Sequence, residues 1–359
     1  MRTGRQAALT AFDKPLQIIQ VDLRDPQPDE LLVRVLVSGV CGSDVHTSLG
    51  EIPRNLPIVL GHEGIGVVER LGANVVCDYA GRPLEEGDRI YWSPAKACAR
   101  CRACTPSPDL AACESIAVYT GAGQLNANTY ADWAMLSAGM GFFKLPGTLP
   151  SDALIAFGCA LPTMLQARER LGGIRSDERV IIQGCGPVGL AATLLCKLAG
   201  CTDIIAYDHS AERRTLALGF GARRVSAPPA DEEIKDLSSS NFSGRGASLI
   251  VEASGSIQAF SQGLGMLGRE GRYLLVGLWA GAGSEQIDPH LVVRNSWKLI
   301  GSVYAEPKHY GQAVALVDDE HANWPLAAAV RSSFQLEDVQ AALDAVRTRS
   351  PGKTVLRMA

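Results

Sequence analysis

The chain has 359 residues, enough for two domains at roughly 150 residues each. Hydrophobic residues make up 47% and charged residues 20%, which excludes disorder as the main state. The net charge of 34 − 38 = −4 excludes nucleic acid or an anionic membrane as the main partner. No apolar run approaches the roughly 18–20 residues of a membrane span.

The start, Met1 to Ala8, is basic but leads into no apolar run, so it reads as a cytoplasmic N-terminus. The first third reads mostly as β. Leu16–Leu23 and Leu31–Val40 are rich in branched apolar residues and flank the turn-like Asp25-Pro26-Gln27-Pro28. Ile58–Leu71 reads as one Gly-interrupted strand, and Asp88–Ser93 and Tyr130–Leu136 as shorter ones. In the middle, strands and helices alternate. Strands are expected over Arg179–Gly184, Asp203–Asp208, Arg223–Ser226, Ser248–Ala253, Arg272–Leu278 and Trp297–Val303. Helices are expected over Pro187–Ala199, Ala211–Gly219, Asp231–Leu237 and Ile257–Leu267. Six strands with helical connections predict an α/β doubly wound parallel sheet beside the β-rich part. The tail adds helices near His309–Val317 and Leu336–Arg347 and a strand over Lys353–Arg357.

Ten cysteines in a chain of this length do not make a secreted disulfide scaffold. Cys98-x2-Cys101-x2-Cys104-x8-Cys113 puts four thiols in sixteen residues. Soft sulfur ligands in fours at such spacings suit a closed, tetrahedral structural zinc site. Cys77, Cys185, Cys196 and Cys201 fit no such pattern and read as buried or spare thiols.

Gly184-Cys185-Gly186-Pro187-Val188-Gly189 matches the dinucleotide fingerprint, directly after an apolar strand and at the opening of a helix. Gly184 allows the tight turn, Gly186 lets the backbone approach a pyrophosphate, and Gly189 lets the helix pack on the sheet. Asp208 ends the next strand, 19 residues after Gly189. Its carboxylate is placed to accept from the adenosine ribose and to repel a 2′-phosphate, which predicts NAD. His209, Arg213 and Arg214 argue for NADP, but the acid holds the deciding position.

Cys41-Gly42-Ser43-Asp44-Val45-His46 and Gly61-His62-Glu63-Gly64 form a further set. Taken singly, His62 reads as a satisfied core histidine and Cys41 as core filler. With Cys159 they offer Cys, His and Cys, the ligand type of a catalytic zinc with one open position.

On these five motifs, which stand along the chain in the family's order, the chain resembles the zinc-dependent alcohol dehydrogenases of the medium-chain dehydrogenase/reductase family over its whole length. The resemblance implies a GroES-like catalytic domain at 1–160 plus 303–359 and an inserted Rossmann domain at 161–302. It implies Cys41, His62 and Cys159 as catalytic zinc ligands, with Glu63 as an acid that moves to the metal during ligand exchange. Asp44 then orients the liganding histidine, and Ser43 and His46 are the ends of a proton relay. Thr163 resembles a nicotinamide contact, Arg213 a contact near the adenosine ribose, and Lys353 a pyrophosphate contact. Val188 and the fingerprint glycines complete the cofactor set. Trp92, Ile52, Pro53 and the region of Tyr304 are implied as an apolar substrate pocket. Two zinc ions per chain, NAD, an apolar primary, secondary or cyclic alcohol, and a homodimer or homotetramer follow from the same likeness.

Two departures stand out. Eight residues, not the usual seven, precede Cys113, and Gly42 stands where some members carry an arginine. The alternatives are a member acting in the carbonyl-reducing direction or on a polyol, a zinc-free quinone or enone reductase, and a non-catalytic zinc-binding protein. The ligand cysteines argue against the zinc-free reductase. The nucleotide fingerprint argues against the non-catalytic protein.

Overall fold

The chain divides into two units, residues 1–162 with 304–359, and residues 163–303. The computed structural model describes every residue except Met1, Pro94, 106–109, Ala117, Tyr119, Thr120, Ala138, Asp231, Glu233, 235–240 and Ala359.

In chain order, strands β1 (Thr3–Leu9), β2 (Gln17–Asp22) and β3 (Glu30–Val40) lead into helix α1 (Gly42–Ser48). Strands β4 (Ile58–Val59), β5 (Gly64–Leu71), β6 (Arg89–Trp92), β7 (Trp133–Ser137) and β8 (Phe142–Lys144) follow, then helices α2 (Ser151–Ile155) and α3 (Ala160–Arg170). The second unit runs β9 (Arg179–Gln183), α4 (Pro187–Leu198), β10 (Asp203–Tyr207), α5 (Ala211–Gly219), β11 (Arg224–Ser226) and β12 (Ala247–Glu252). It continues with α6 (Ile257–Met266), β13 (Leu267–Leu275), α7 (Pro289–Asn295) and β14 (Lys298–Gly301). Back in the first unit come α8 (Pro307–Glu320), β15 (Val330–Gln335), α9 (Val339–Arg347) and β16 (Lys353–Arg357).

The second unit is a parallel sheet in the order β11-β10-β9-β12-β13-β14. The order reverses between β9 and β12, the switch point of a Rossmann fold, and crevices that take ligands open there. Val180, Ile181 and Ile182 of β9 are all buried, as expected of a strand covered on both faces. Ile181, Ile205, Ile250, Phe260 and Tyr273 make its core.

In the first unit, β3 is the hub. It pairs with β5, β7 and β16 in a sheet ordered β15-β16-β3-β5-β6-β8. A smaller sheet runs β2-β1-β4. This is the β-rich GroES-like part, and its core includes Leu31, Val33, Ile90, Trp92 and Leu136. Fully burying a side chain of this kind contributes about 1.5–3 kcal/mol. No helix among the described residues is long and apolar enough to cross a membrane.

Several expected elements differ. Ile58–Leu71 is two strands in two sheets, because Gly61 takes a left-handed φ of +85° and breaks the run. The strand expected from Arg272 begins at Leu267, where α6 ends. The sequence pattern does not predict strand β1, helices α1, α2, α3 and α7, or strands β8 and β15. The helix expected over Asp231–Leu237 lies outside the described residues, which include only Glu232 and Ile234 of that stretch.

Candidate metal centres and dinucleotide site

Cys41 closes β3 and precedes α1, His62 lies on the loop between β4 and β5, and Cys159 stands just before α3. Together they meet. The Sγ atoms of Cys41 and Cys159 are 3.7 Å apart. These two, a ring nitrogen of His62 and a carboxylate oxygen of Glu63 all lie within 4.8 Å of one another.

Asp44 holds this arrangement. As the third residue of α1, it reaches back to accept the N–H of Cys41 at 3.0 Å, the return half of a capping box. The same oxygen accepts the Tyr130 hydroxyl at 2.9 Å. Its other oxygen lies 3.2 Å from His62 Nδ1 and accepts the N–H of Gly61 at 3.2 Å. With Nδ1–H given to Asp44, Nε2 is the nitrogen left to bind a metal. A side chain at Gly61 would strike the Tyr130 ring at 2.3 Å. Asn128 donates to the Gly61 carbonyl at 3.1 Å, which steadies the loop from beneath.

Burial and charge poise the group. A hydrogen bond with Cys159 pulls Cys41 well below the usual thiol range, and Cys159 is pushed well above it. Burial opposes charge on His62, but Asp44 and Cys41 hold its ring well above the usual histidine range. Two thiols, an imidazole and a carboxylate at this separation suit zinc.

Glu63 is fully buried, and its Oε2 lies 2.5 Å from Nζ of Lys353 on β16. Lys353, which the resemblance places at a pyrophosphate, is 2% exposed, and its ammonium pairs with Glu63 within the first unit. Burial works against the Lys353 charge, but Glu63 and the two thiols raise its pKa above the ordinary value.

The four-cysteine lobe also converges. The Sγ atoms of Cys98, Cys101, Cys104 and Cys113 all lie within 4.8 Å of one another. The N–H of Cys98 donates to Cys113 Sγ at 3.3 Å, and that of Cys101 to Cys98 Sγ at 3.4 Å. Backbone N–H groups so aimed favour thiolates. The lobe is tied to the start of α8, where Glu306 accepts the N–H of Leu110 at 2.7 Å. The extra residue before Cys113 leaves its sulfur with the other three. This donor set also fits zinc.

In the second unit Gly184 has φ +92°, and a Cβ there would press on the Ser254 backbone at 3.0 Å. At Gly189 a Cβ would lie 1.8 Å from the Gly184 carbonyl, so only glycine lets α4 start this close to β9. Around Gly186 the nearest atom to such a Cβ is Arg213 Nη1 at 3.9 Å, which leaves room for a ligand. Gly186 caps α4 without a side chain, and Pro187 occupies the first turn. Val188 and Gly189 lie in the first turn of α4, where backbone N–H groups have no intrahelical acceptor and negative charge is favoured. Asp208 accepts the N–H of Cys185 and of Ser210, each at 2.8 Å, with Arg213 Nη1 4.0 Å away. It ties the fingerprint loop to β10, and each oxygen keeps a lone pair for a ribose hydroxyl.

The chain matches the alcohol dehydrogenase GroES-like domain over residues 27–147 and the zinc-binding dehydrogenase domain over residues 187–319. It is 40% identical over 354 residues to a 5-exo-hydroxycamphor dehydrogenase of Pseudomonas putida, covering 98% of each chain. The chain belongs to the zinc-dependent alcohol dehydrogenases of the medium-chain dehydrogenase/reductase family. An alcohol dehydrogenase class-3 of Myxine glutinosa is 26% identical over 368 residues, covering 96% of this chain and 95% of that one. Among solved structures, an alcohol dehydrogenase from Thermotoga maritima superposes with a TM-score of 0.92 at 26% identity over 100% of both chains.

Several residues of this zinc-dependent alcohol dehydrogenase carry parts that sequence reasoning missed. Tyr130 buttresses Asp44. Glu51 binds His46 Nδ1, brought round by the left-handed Gly50 and by its own N–H on the His46 carbonyl at 3.0 Å. The acid one residue after a turn glycine was the available signal. Ser43 sits half-buried on the first turn of α1, and Thr163 half-buried on α3. Trp92, expected in a substrate pocket, is fully buried and donates from its indole to the Ala127 carbonyl at 2.8 Å. It belongs to the core cluster with Leu31, Ile90 and Leu136. Cys185, Cys196 and Cys201 are buried and Cys77 is exposed.

Proposed function

We propose that this enzyme oxidises an apolar cyclic or secondary alcohol with NAD, giving the ketone, NADH and a proton. The observation that carries the reading is the meeting of Cys41, His62 and Cys159 around one point with Asp44 behind the histidine. Kinship with a 5-exo-hydroxycamphor dehydrogenase supports a bulky, apolar alcohol. In this reading residues 1–160 and 303–359 are the catalytic domain and 161–302 the cofactor domain. Each chain takes two zinc ions, one at Cys41, His62 and Cys159 and one at the four-cysteine lobe.

Zinc at the three-residue site supplies a Lewis acid that polarises the substrate oxygen, and NAD supplies the hydride acceptor. The chain's own groups do the rest. Ser43 takes the hydroxyl proton and His46 passes it outward, with Glu51 on Nδ1 fixing which nitrogen faces the relay. Val188 and Gly189 N–H groups bind the pyrophosphate, and Asp208 binds the adenosine ribose with Arg213 beside it. Thr163 contacts the nicotinamide. Ten cysteines, none of them in a disulfide, suit a reducing, cytoplasmic compartment. The outer edge of β14, with Val293 of α7 exposed at 78% and Val303 at 51%, supports a homodimer or homotetramer.

The test is a panel of alcohols scored by kcat/KM with each cofactor. A bicyclic or cyclic secondary alcohol should lead the panel. NAD should be preferred by at least about 10²-fold, because a 2′-phosphate would cost Asp208 a charged hydrogen bond worth roughly 1.5–3 kcal/mol and add repulsion. Equal use of NADP would mean that Arg213 and Arg214 outweigh Asp208.

A further inference from the structure

Glu63 and Lys353 form a buried ion pair at the edge of the three-ligand centre. Three features make this pair more than packing. Glu63 Oε1 is buried and has no hydrogen-bond partner among the described residues. A Glu63 oxygen stands within 4.8 Å of the donor atoms of Cys41, His62 and Cys159, close enough to join them. Space for the carboxylate is kept open from two sides, since a Cβ on Gly39 would lie 1.8 Å from Oε2 and one on Gly158 would lie 1.9 Å from it.

A buried carboxylate needs a counter-charge, and two cations compete for this one: the Lys353 ammonium and the metal. Two thiolates already balance a divalent ion, so the centre is formally neutral when Glu63 is left with Lys353. We propose that Lys353 is a latch on Glu63, holding the carboxylate off the metal so that the fourth position stays open to substrate. This rests on the zinc reading of Cys41, His62 and Cys159. Lys353 is thus a positioning residue. Its Cε would lie 2.8 Å from a Cβ on Gly39, so the same glycine admits both halves of the pair. Without the ammonium, Glu63 has one cation left to neutralise it, and the uncommitted Oε1 is the atom that closes the site.

The test uses holoenzyme with cobalt(II) exchanged into the three-ligand site and imidazole as a metal-directed probe, read from the visible bands of the ion. In Lys353→Met at full cobalt loading, imidazole affinity should fall at least about tenfold, with bands reporting an added oxygen ligand. Adding Glu63→Gln to that variant should bring affinity back to within about twofold of wild type. Lys353→Arg should bind imidazole as wild type does. Should methionine not be accommodated, Lys353→Gln with and without Glu63→Gln gives the same comparison. Unchanged imidazole affinity in the loaded Lys353 variant, or a loss that Glu63→Gln does not relieve, would overturn the latch. Failure of the underlying reading shows differently, as Cys159→Ala protein that still takes up its full complement of cobalt.

Discussion

One carboxylate, Asp44, bonds His62 Nδ1 through one oxygen at 3.2 Å and the N–H of Cys41 through the other at 3.0 Å. Two residues of the metal-binding set are thus oriented by one buried side chain. Asp44→Asn keeps the shape and loses the charge that holds the ring. Zinc affinity at this site should fall about 10–100-fold, the usual effect of losing such a partner. Competition with a chelating dye measures it. Tyr130→Phe should weaken zinc less, since only one of the bonds to Asp44 is lost. Wild-type affinity in Asp44→Asn would show that His62 is held by something else.

Ser43 lies on the first turn of α1, two residues past Cys41. Its hydroxyl is assigned to moving a proton, so Ser43→Ala should keep both metals and lose about 10²–10⁴ in kcat. Elemental analysis beside steady-state rates decides this. Zinc lost along with rate would give Ser43 a structural task instead.

A zinc held by all four cysteines of the lobe would have no open position, so it would contribute to folding. Cys104→Ser should cost one zinc per chain and lower Tm. Cys113→Ala should do the same, because its sulfur accepts the Cys98 N–H within the cluster. Unchanged zinc content and Tm in Cys113→Ala would remove that residue from the site.

At the switch point of the Rossmann sheet, Glu252 is fully buried. One oxygen accepts the N–H of Ser254 at 2.7 Å and of Gly255 at 2.9 Å. Burial nevertheless raises its pKa above the ordinary carboxylate value. An acid whose folded pKa is raised binds its proton more tightly in the native state. Stability therefore falls as pH rises from the unfolded pKa through the folded one, and stays lower above it. Glu252→Gln keeps the accepting oxygen and removes this loss. Its Tm should exceed that of wild type at neutral pH, with the gap closing below the ordinary carboxylate range. A wild type that is the more stable at neutral pH would show that the hydrogen bonds to the charged form win.

Local chemistry made much of this legible in the sequence. The Gly184–Gly189 turn shows because each glycine answers a constraint no other residue meets, a φ of +92° at Gly184 and a 1.8 Å approach at Gly189. Cys41, His62 and Cys159 were legible as residue types in a known order. What escaped depends on burial and long-range packing. Nothing near Lys353 in sequence announces Glu63, and the two meet only because β16 pairs with β3, which carries Gly39 at its end. Trp92 is an aromatic near the ligand motifs, and only the fold shows that it is fully buried with its indole held by the Ala127 carbonyl. Ile58–Leu71 is mostly branched apolar residues and glycine, and that pattern alone does not show that the chain leaves the strand at Leu60–Glu63 to deliver His62.

In the proposed function, activity depends on metal held by Cys41, His62 and Cys159. The most direct measurement is NAD reduction with a cyclic secondary alcohol, followed as the metal is withdrawn by a chelator and then restored. Turnover should disappear with the first, faster-leaving zinc equivalent while NADH still binds, and added zinc should restore it. No such recovery is expected for Cys159→Ala. Undiminished turnover in protein stripped of that zinc, or full activity in Cys159→Ala, would contradict that dependence.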